Sequence, residues 1–373
     1  MSMSSHRLER LRAGLERLPA DAALISQPES RRYLSGYTGK DLPPRDPAGY
    51  LLVSRGQAYL LTDGRTAEMA RAEAPDYEVV VYPNAAVALE AVADLARRLD
   101  VRRLAFENIH LPYAFWKHLG QLLDGRAELV EADELVDQLR IAKDPQELRA
   151  LEASVAVLDD CFAHLCQAVL RPGVTERQVA WEVEAYLKRR GSEPSFDSII
   201  ASGPNSAIPH APLTERELRP GEPLKIDIGA RVDGYCSDMT RTVCLGEPPA
   251  RLRELHALVL EAQETAEREV RVGQTGKEAD GIARAIIARA GYGQAFPHGT
   301  GHGIGLEVHE PPWLSQSRGF HVLGPGMVFS VEPGVYLPGW GGVRIEDLVV
   351  LEADRARVLS RSPKSLELDG KGQ

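Results

Sequence analysis

Only four of the 373 residues are cysteine. Cys161, Cys166, Cys236 and Cys244 show neither a C-x-x-C spacing nor the density of a disulfide scaffold, so they read as reduced, mostly buried thiols. Long apolar runs are missing too. No stretch approaches the roughly 20 apolar residues that cross a bilayer, and the opening MSMSSHRLERLRAGLERL is amphipathic and charged, without the apolar core of a signal peptide. A cytoplasmic protein with no membrane partner is the expectation. Nor is there an excess of positive charge: 44 Lys and Arg stand against 54 Asp and Glu, a net charge of -10. With no basic stripe to offset that balance, nucleic acid is excluded as a partner. Familiar cofactor motifs are lacking as well. Gly39-Lys40 is followed by Asp41, where a phosphate loop wants Ser or Thr, and Ile304 stands at the last glycine position of a dinucleotide-binding G-x-G-x-x-G.

What is present is ordinary globular composition, 43% hydrophobic and 26% charged, enough for one large or two moderate domains. Up to about residue 140, apolar runs at Ala22 to Ile25, Tyr50 to Val53, Ala58 to Leu61, Val79 to Tyr82, Arg103 to Phe106 and Leu129 to Val130 read as strands. Helical stretches such as Ala85 to Leu99 and Pro112 to Leu123 lie between them. Ser54-Arg55-Gly56-Gln57 reads as a hairpin turn, so this α/β domain should have a mixed sheet. A second domain opens at Asp144-Pro145-Gln146-Glu147, where Asp144 is an N-cap, Pro145 fits the first helical position and Glu147 reaches back to the cap.

That second domain contains a diverged repeat with a period of about 100 residues. Arg171, Gly173, Thr175, Gln178, Gly191 and Phe196 align with Arg271, Gly273, Thr275, Glu278, Gly291 and Phe296. In both copies Thr-x-x-Gln/Glu forms a capping box that opens a helix ending near a second glycine. Each half then continues into a hairpin, the first carrying Asp227 and Asp238, the second Glu332 and Glu346. The expected domain is two similar α/β halves that each donate two carboxylates to one central site.

The chemistry is concentrated in KIDIGA, GYCSDMTRT, HGTGHGIG, SVEPG and VRIED, which hold Asp227, Asp238, His302, Glu332 and Glu346. Four carboxylates and one imidazole are more oxygen donors than one divalent cation uses, so the set points to two cations sharing carboxylates, and hence to hydrolysis. Val232-Asp233-Gly234-Tyr235 is a two-residue turn that sets Gly229 opposite Asp238. Asp227 and Asp238 are then diagonal neighbours on one face, with Gly229 leaving room between them. From His298 to Gly305 glycine alternates with His298, Thr300, His302 and Ile304. An extended run would have one bare face open to another backbone or a substrate, and both imidazoles on the other. It lacks the Glu of the H-E-x-x-H helix. Arg344, on the face of Glu346, either holds a ligand carboxylate or meets the substrate. His210 sits on the proline-stiffened Ile208-Pro209-His210-Ala211-Pro212.

These motifs, with His210 and HGTGHGIGLEVHE, closely resemble the pita-bread metallopeptidases, in particular the Xaa-Pro peptidases, prolidase and aminopeptidase P. The resemblance implies an α/β (α+β) chain, with a creatinase-type N-terminal domain over 1–140 and a pseudo-twofold pita-bread catalytic domain over 144–362. It also implies a homodimer. By it, Asp227, Asp238, His302, Glu332 and Glu346 bind two metal ions, manganese foremost with cobalt or zinc as alternatives, and Asp238 and Glu346 bridge them. Glu332 doubles as proton shuttle, His309 stabilises the oxyanion, His210 protonates the leaving proline nitrogen and His298 lines the proline pocket. The three histidine roles stay interchangeable at this level. A dipeptidase must also recognise the carboxylate directly after proline. The loop Lys40-Asp41-Leu42-Pro43-Pro44-Arg45-Asp46-Pro47 offers Arg45, from this chain or a dimer partner, for that task. The expected activity is Xaa-Pro dipeptide hydrolysis, with aminopeptidase P, acting on longer Xaa-Pro peptides, as the alternative. Methionine aminopeptidase, creatinase and a non-catalytic pita-bread binding module are more remote, the last two because neither needs all five ligands.

Overall fold

The computed structural model describes residues 3–42, 46–132 and 134–368, and the chain divides into two compact units, Met1–Arg140 and Ile141–Gln373. In the first unit the apolar runs form β1 (Ala22–Ile25), β2 (Tyr50–Ser54), β3 (Ala58–Asp63), β4 (Glu78–Tyr82), β5 (Arg103–Phe106) and β6 (Glu128–Glu131). They make one sheet in the order β4-β3-β2-β1-β5-β6. The Ser54–Gln57 turn, closed by the Ser54 amide donating to the Gln57 carbonyl at 2.9 Å, makes β2 and β3 antiparallel. The β3–β4, β1–β5 and β5–β6 pairs are parallel, so the sheet is mixed. Helices Ala88–Arg98 and Tyr113–Leu123 bury Leu89, Val92, Leu95, Leu119 and Leu123 against Leu24, Leu52, Leu61 and Leu104. The loop that begins at Lys40 is held by the buried Arg31, which pairs with Asp41 at 2.6 Å. Arg45 lies outside the described residues.

The second unit starts on the capping box read from its sequence. Asp144 accepts the amides of Gln146 and Glu147 at 2.8 and 2.9 Å, while Glu147 accepts the Asp144 amide at 3.0 Å. The helix that follows, Pro145–His164, has 20 residues, and the next, Glu176–Arg189, has 14. The lengths recur in the second half, with 20 residues in Ala250–Glu269 and 14 in Gly276–Arg289. Thr175 with Gln178 and Thr275 with Glu278 both close reciprocal capping boxes. Gly173 and Gly273 adopt φ of 86° and 89° just before those boxes, a left-handed conformation that costs glycine little and other residues more. Each half has its own apolar core, one built on Phe162, Leu187 and Ile226, the other on Val259, Ile287 and Val349. Among the described residues no helix is long and apolar enough to cross a membrane.

Candidate metal centre and substrate cleft

Two hairpins, one per half, present the carboxylates, and both are interrupted. In the first, Val232 pairs with Tyr235 around Asp233-Gly234, and further out Ile228 pairs with Met239 and Asp227 with Thr240. The register is the same on both sides of a break at Gly229 and Ser237-Asp238, so Asp238 falls opposite Gly229 as the turn requires. The room expected at Gly229 is occupied: a side chain there would meet Ser195 Oγ at 2.0 Å and the Phe196 ring at 2.5 Å. The glycine is needed for close packing, and the cleft opens elsewhere. In the second hairpin Val331 pairs with Asp347 and Gly334 with Arg344, leaving Glu332 and Glu346 at the break. There the amides turn to new partners, Glu332 to the Thr300 carbonyl at 2.7 Å and Glu346 to the Thr240 carbonyl at 3.0 Å. Backbone groups leave the ladder without being orphaned, and the acids at the breaks leave the plane of their sheets.

His302 comes from the strand Gly301–Gly303. A side chain at 301 would meet the Ser330 carbonyl at 1.9 Å, and one at 303 the Pro311 carbonyl at 2.3 Å. The bare glycine face therefore receives other backbone. The His302 amide donates to Ser330 Oγ at 3.1 Å, and Nδ1 donates to the Gly303 carbonyl at 3.1 Å. That leaves Nε2 as the lone-pair nitrogen, and it lies 3.3 Å from Glu332 and 3.8 Å from Asp238. Ligand atoms of Asp238, His302 and Glu346 lie within 4.8 Å of one another.

The charges in this cluster need a counterion. Asp227, Asp238 and Glu346 are buried, and burial raises all three carboxyls. Glu346 and Asp227 push Asp238 further up, while Glu332 and Asp227 do the same to Glu346. Glu332 goes the other way: burial works against its ionisation, but while His302 Nε2 carries a proton its bond and charge, with the charges of His298 and Arg344, bring the carboxyl to about 2; a cation on Nε2 would take the place of that proton. Among the described residues Asp238 Oδ1 and Glu346 Oε1 are buried side-chain atoms without a hydrogen-bond partner. The other Glu346 oxygen, Oε2, accepts Thr240 Oγ1 at 2.7 Å. Two orphaned carboxylate oxygens facing an imidazole nitrogen fit a divalent cation, which would satisfy both atoms and relieve the mutual repulsion.

A cavity of about 910 Å³ is lined by all five candidate ligands together with His210, His298, His309 and Arg344. His298 donates from Nδ1 to the Gly299 carbonyl at 2.8 Å and accepts at Nε2 from the Tyr336 hydroxyl at 2.9 Å. The His309 ring stands edge-on to His302 at 4.1 Å; burial, then the neighbouring His302, push it down to about 4. His210 is exposed on the cavity wall. Arg344 donates to Asp227, to Thr240 Oγ1 at 3.0 Å and to Tyr336 at 2.9 Å. Of the two tasks read for Arg344, the geometry places it on a ligand-set carboxylate. One lining residue escaped the sequence reading: Arg318, whose guanidinium lies 3.7 Å from the centroid of the Trp313 ring. It is exposed, and among the described residues no carboxylate pairs with it. Its setting, Ser315-Gln316-Ser317-Arg318, has no motif, and the only signal was a basic residue nine positions after His309.

With that geometry established, comparison with known proteins gives a family. Residues 149–353 match the model for metallopeptidase family M24. The chain belongs to that family. Residues 7–142 match the creatinase/prolidase N-terminal domain, and the fold is the pita-bread type. The chain is 34% identical over 369 residues to an Xaa-Pro dipeptidase of Pyrococcus horikoshii, covering 98% of this chain and 100% of that protein. It superposes on the structure of an Xaa-Pro dipeptidase from Bacillus anthracis with a TM-score of 0.91 at 38% identity, covering 98% and 99% of the two chains. An X-Pro aminopeptidase from Thermotoga maritima superposes at 0.87 with 34% identity over 96% and 99%. Membership implies divalent metal ions, and the donor set fits them.

Proposed function

We propose that this enzyme hydrolyses Xaa-Pro dipeptides with two divalent cations held by Asp227, Asp238, His302, Glu332 and Glu346. The observation that carries the reading is the pair of orphaned, buried oxygens on Asp238 and Glu346 beside an imidazole oriented by its own backbone. An oxygen-rich set with one nitrogen favours manganese over zinc, and the catalytic domain is residues 144–362. When bound, the cations would supply Lewis acidity and lower the pKa of a water.

The chain's own groups supply the rest. Glu332, with the Arg344 guanidinium 4.0 Å away, accepts the proton released by the water. His309, neutral at pH 7 because of its burial, turns an N–H toward the developing oxyanion. Proline nitrogen carries no hydrogen in the peptide and must gain one to leave, and His210 on the cavity wall is the donor. His298, with one nitrogen tied to Gly299 and the other to Tyr336, forms a fixed wall for the pyrrolidine ring. Arg344 pairs with Asp227 and opposes the burial that raises its carboxyl. Arg318 meets the free carboxylate that directly follows proline, which favours dipeptides over the longer substrates of an aminopeptidase P.

The test compares Xaa-Pro with Xaa-Pro-Xaa hydrolysis with added manganese, alongside metal analysis of the wild type and of Asp238→Asn. Metal-dependent cleavage that prefers the dipeptide, and is lost with the metal in Asp238→Asn, is the expected result. Activity retained by a metal-free protein refutes the proposal.

A further inference from the structure

Lys225 is fully buried inside the strand Pro223–Ile228, where burial lowers its amine toward the neutral form. An apolar side chain is the default there, and an ammonium carries a desolvation cost. The strand is central: Lys225 pairs with Ala201 on one side and Thr242 on the other. By strand alternation it faces the same way as Asp227. Its Nζ donates to the carbonyl of Ile208 at 2.6 Å and to that of Pro209 at 2.8 Å, the two residues immediately before His210. Arg344 adds a bond to the Pro209 carbonyl at 3.3 Å. The same Nζ lies 5.3 Å from the centroid of the Tyr336 ring, whose hydroxyl bridges Arg344 and His298 at 2.9 Å each. One amine thus bonds to the backbone that carries His210 and lies over the ring that orients His298.

We propose that Lys225 is a positioning residue for the substrate cleft, fixing the His210 loop through the Ile208 and Pro209 carbonyls so that His210 and His298 face the leaving proline together. This rests on the reading of His210 as proton donor. Among the described residues no hydrogen bond holds the exposed His210 imidazole itself. Its placement comes from the backbone behind it, and there Lys225 and Arg344 supply the bonds.

The test uses full-length, metal-loaded enzyme. Lys225→Met keeps the aliphatic stem and removes the donors; kcat on Xaa-Pro falls roughly ten- to hundredfold, as a displaced catalytic group loses, while KM holds. Calorimetric titration of manganese into the metal-free variant gives the wild-type affinity. Adding His210→Gln to Lys225→Met costs no more than either change alone, because both remove one function. Pro209→Gly frees the same loop without touching the buried amine and shows the same kinetics and the same non-additivity; it decides the matter should Lys225→Met fail to fold. Losses that multiply overturn the proposal, as does a fall in manganese affinity that tracks kcat, which would assign Lys225 to Asp227. If His210→Gln alone leaves kcat intact, the proton-donor reading fails and this inference fails with it. The other two outcomes leave that reading standing.

Discussion

Arg318→Ala tests the basis of dipeptide preference. The guanidinium lies 3.7 Å from the centroid of the Trp313 ring, and both residues line the cavity where a carboxylate directly after proline would arrive. A charge-assisted hydrogen bond to a bound anion contributes about 1.5 to 3 kcal/mol. Arg318 is exposed, which places its contribution near the lower end, and about 1.5 kcal/mol corresponds to a loss of roughly tenfold in kcat/KM. The loss should appear in KM, because the contact is the same in ground and transition states. It should also shrink as ionic strength rises, since the Debye length is only about 8 Å at physiological salt. The assay compares an Xaa-Pro dipeptide with its C-terminal amide and with an Xaa-Pro-Xaa tripeptide. Wild type should prefer the free acid, and Arg318→Ala should lose that preference while cleaving the amide as before. Arg318→Lys keeps the charge but not the planar stack, so an intermediate loss is expected. An equal fall on acid and amide would refute the reasoning, since the residue would then be supporting Trp313 rather than reading a carboxylate.

Asp238→Asn should abolish the rise in melting temperature that manganese gives the wild type, a rise worth about 2.7 kcal/mol when the metal stands at 100 times its Kd. The metal-free variant should be at least as stable as metal-free wild type, because it loses a carboxyl that burial and Glu346 already disfavour; destabilisation of the metal-free form would contradict this. His256 is buried, and burial, opposed only in part by a bond to the Lys364 backbone, lowers it from 6.5 to about 4. The unfolded chain therefore binds its proton first as pH falls, so this residue stabilises the fold above pH 6.5 and that stability is lost between pH 6.5 and 4. The loss amounts to about 2.5 kcal/mol between about pH 7.5 and 4.5. His256→Leu should flatten the acid limb of stability by that amount in denaturant titrations, and parallel limbs would exclude the effect. Gly301→Ala forces a methyl to within 1.9 Å of the Ser330 carbonyl. It should cost roughly 3 kcal/mol or more and reduce metal binding, whereas a wild-type melting curve would show that the strands can separate freely.

The gathering of the five candidate ligands around one cavity was legible because each acid stands in strand-like apolar company, where an unpaired charge is costly enough to imply a reason. The capping boxes at Asp144, Thr175 and Thr275 were legible because they use side chains three residues apart, with no contribution from distant parts of the chain. The Asp233-Gly234 turn was equally local, and a two-residue turn fixes a register that carried through to Asp238. Long-range packing was harder to read. Gly229 looked like open space beside the aspartates, but whether a missing side chain leaves a void or admits a neighbour depends on Ser195 and Phe196, over thirty residues away. Nothing in KIDIGA distinguishes Lys225 from the solvated lysine of an edge strand until Ala201 and Thr242 close on both sides of it. Arg318 had no motif because its partner, Trp313, is joined to it by a stack and not by a spacing. The repeat links these cases. It placed a carboxylate pair on each hairpin, yet the ladder breaks, at Asp238 in one half and at Glu332 and Glu346 in the other, are not written in it; at the second break the amides change partners to Thr300 and Thr240. Such exchanges leave no residue-type signature. They depend on which backbone lies alongside, so a metal centre built at two breaks can be inferred from its acids, while its specificity has to be sought in the residues that pack around it.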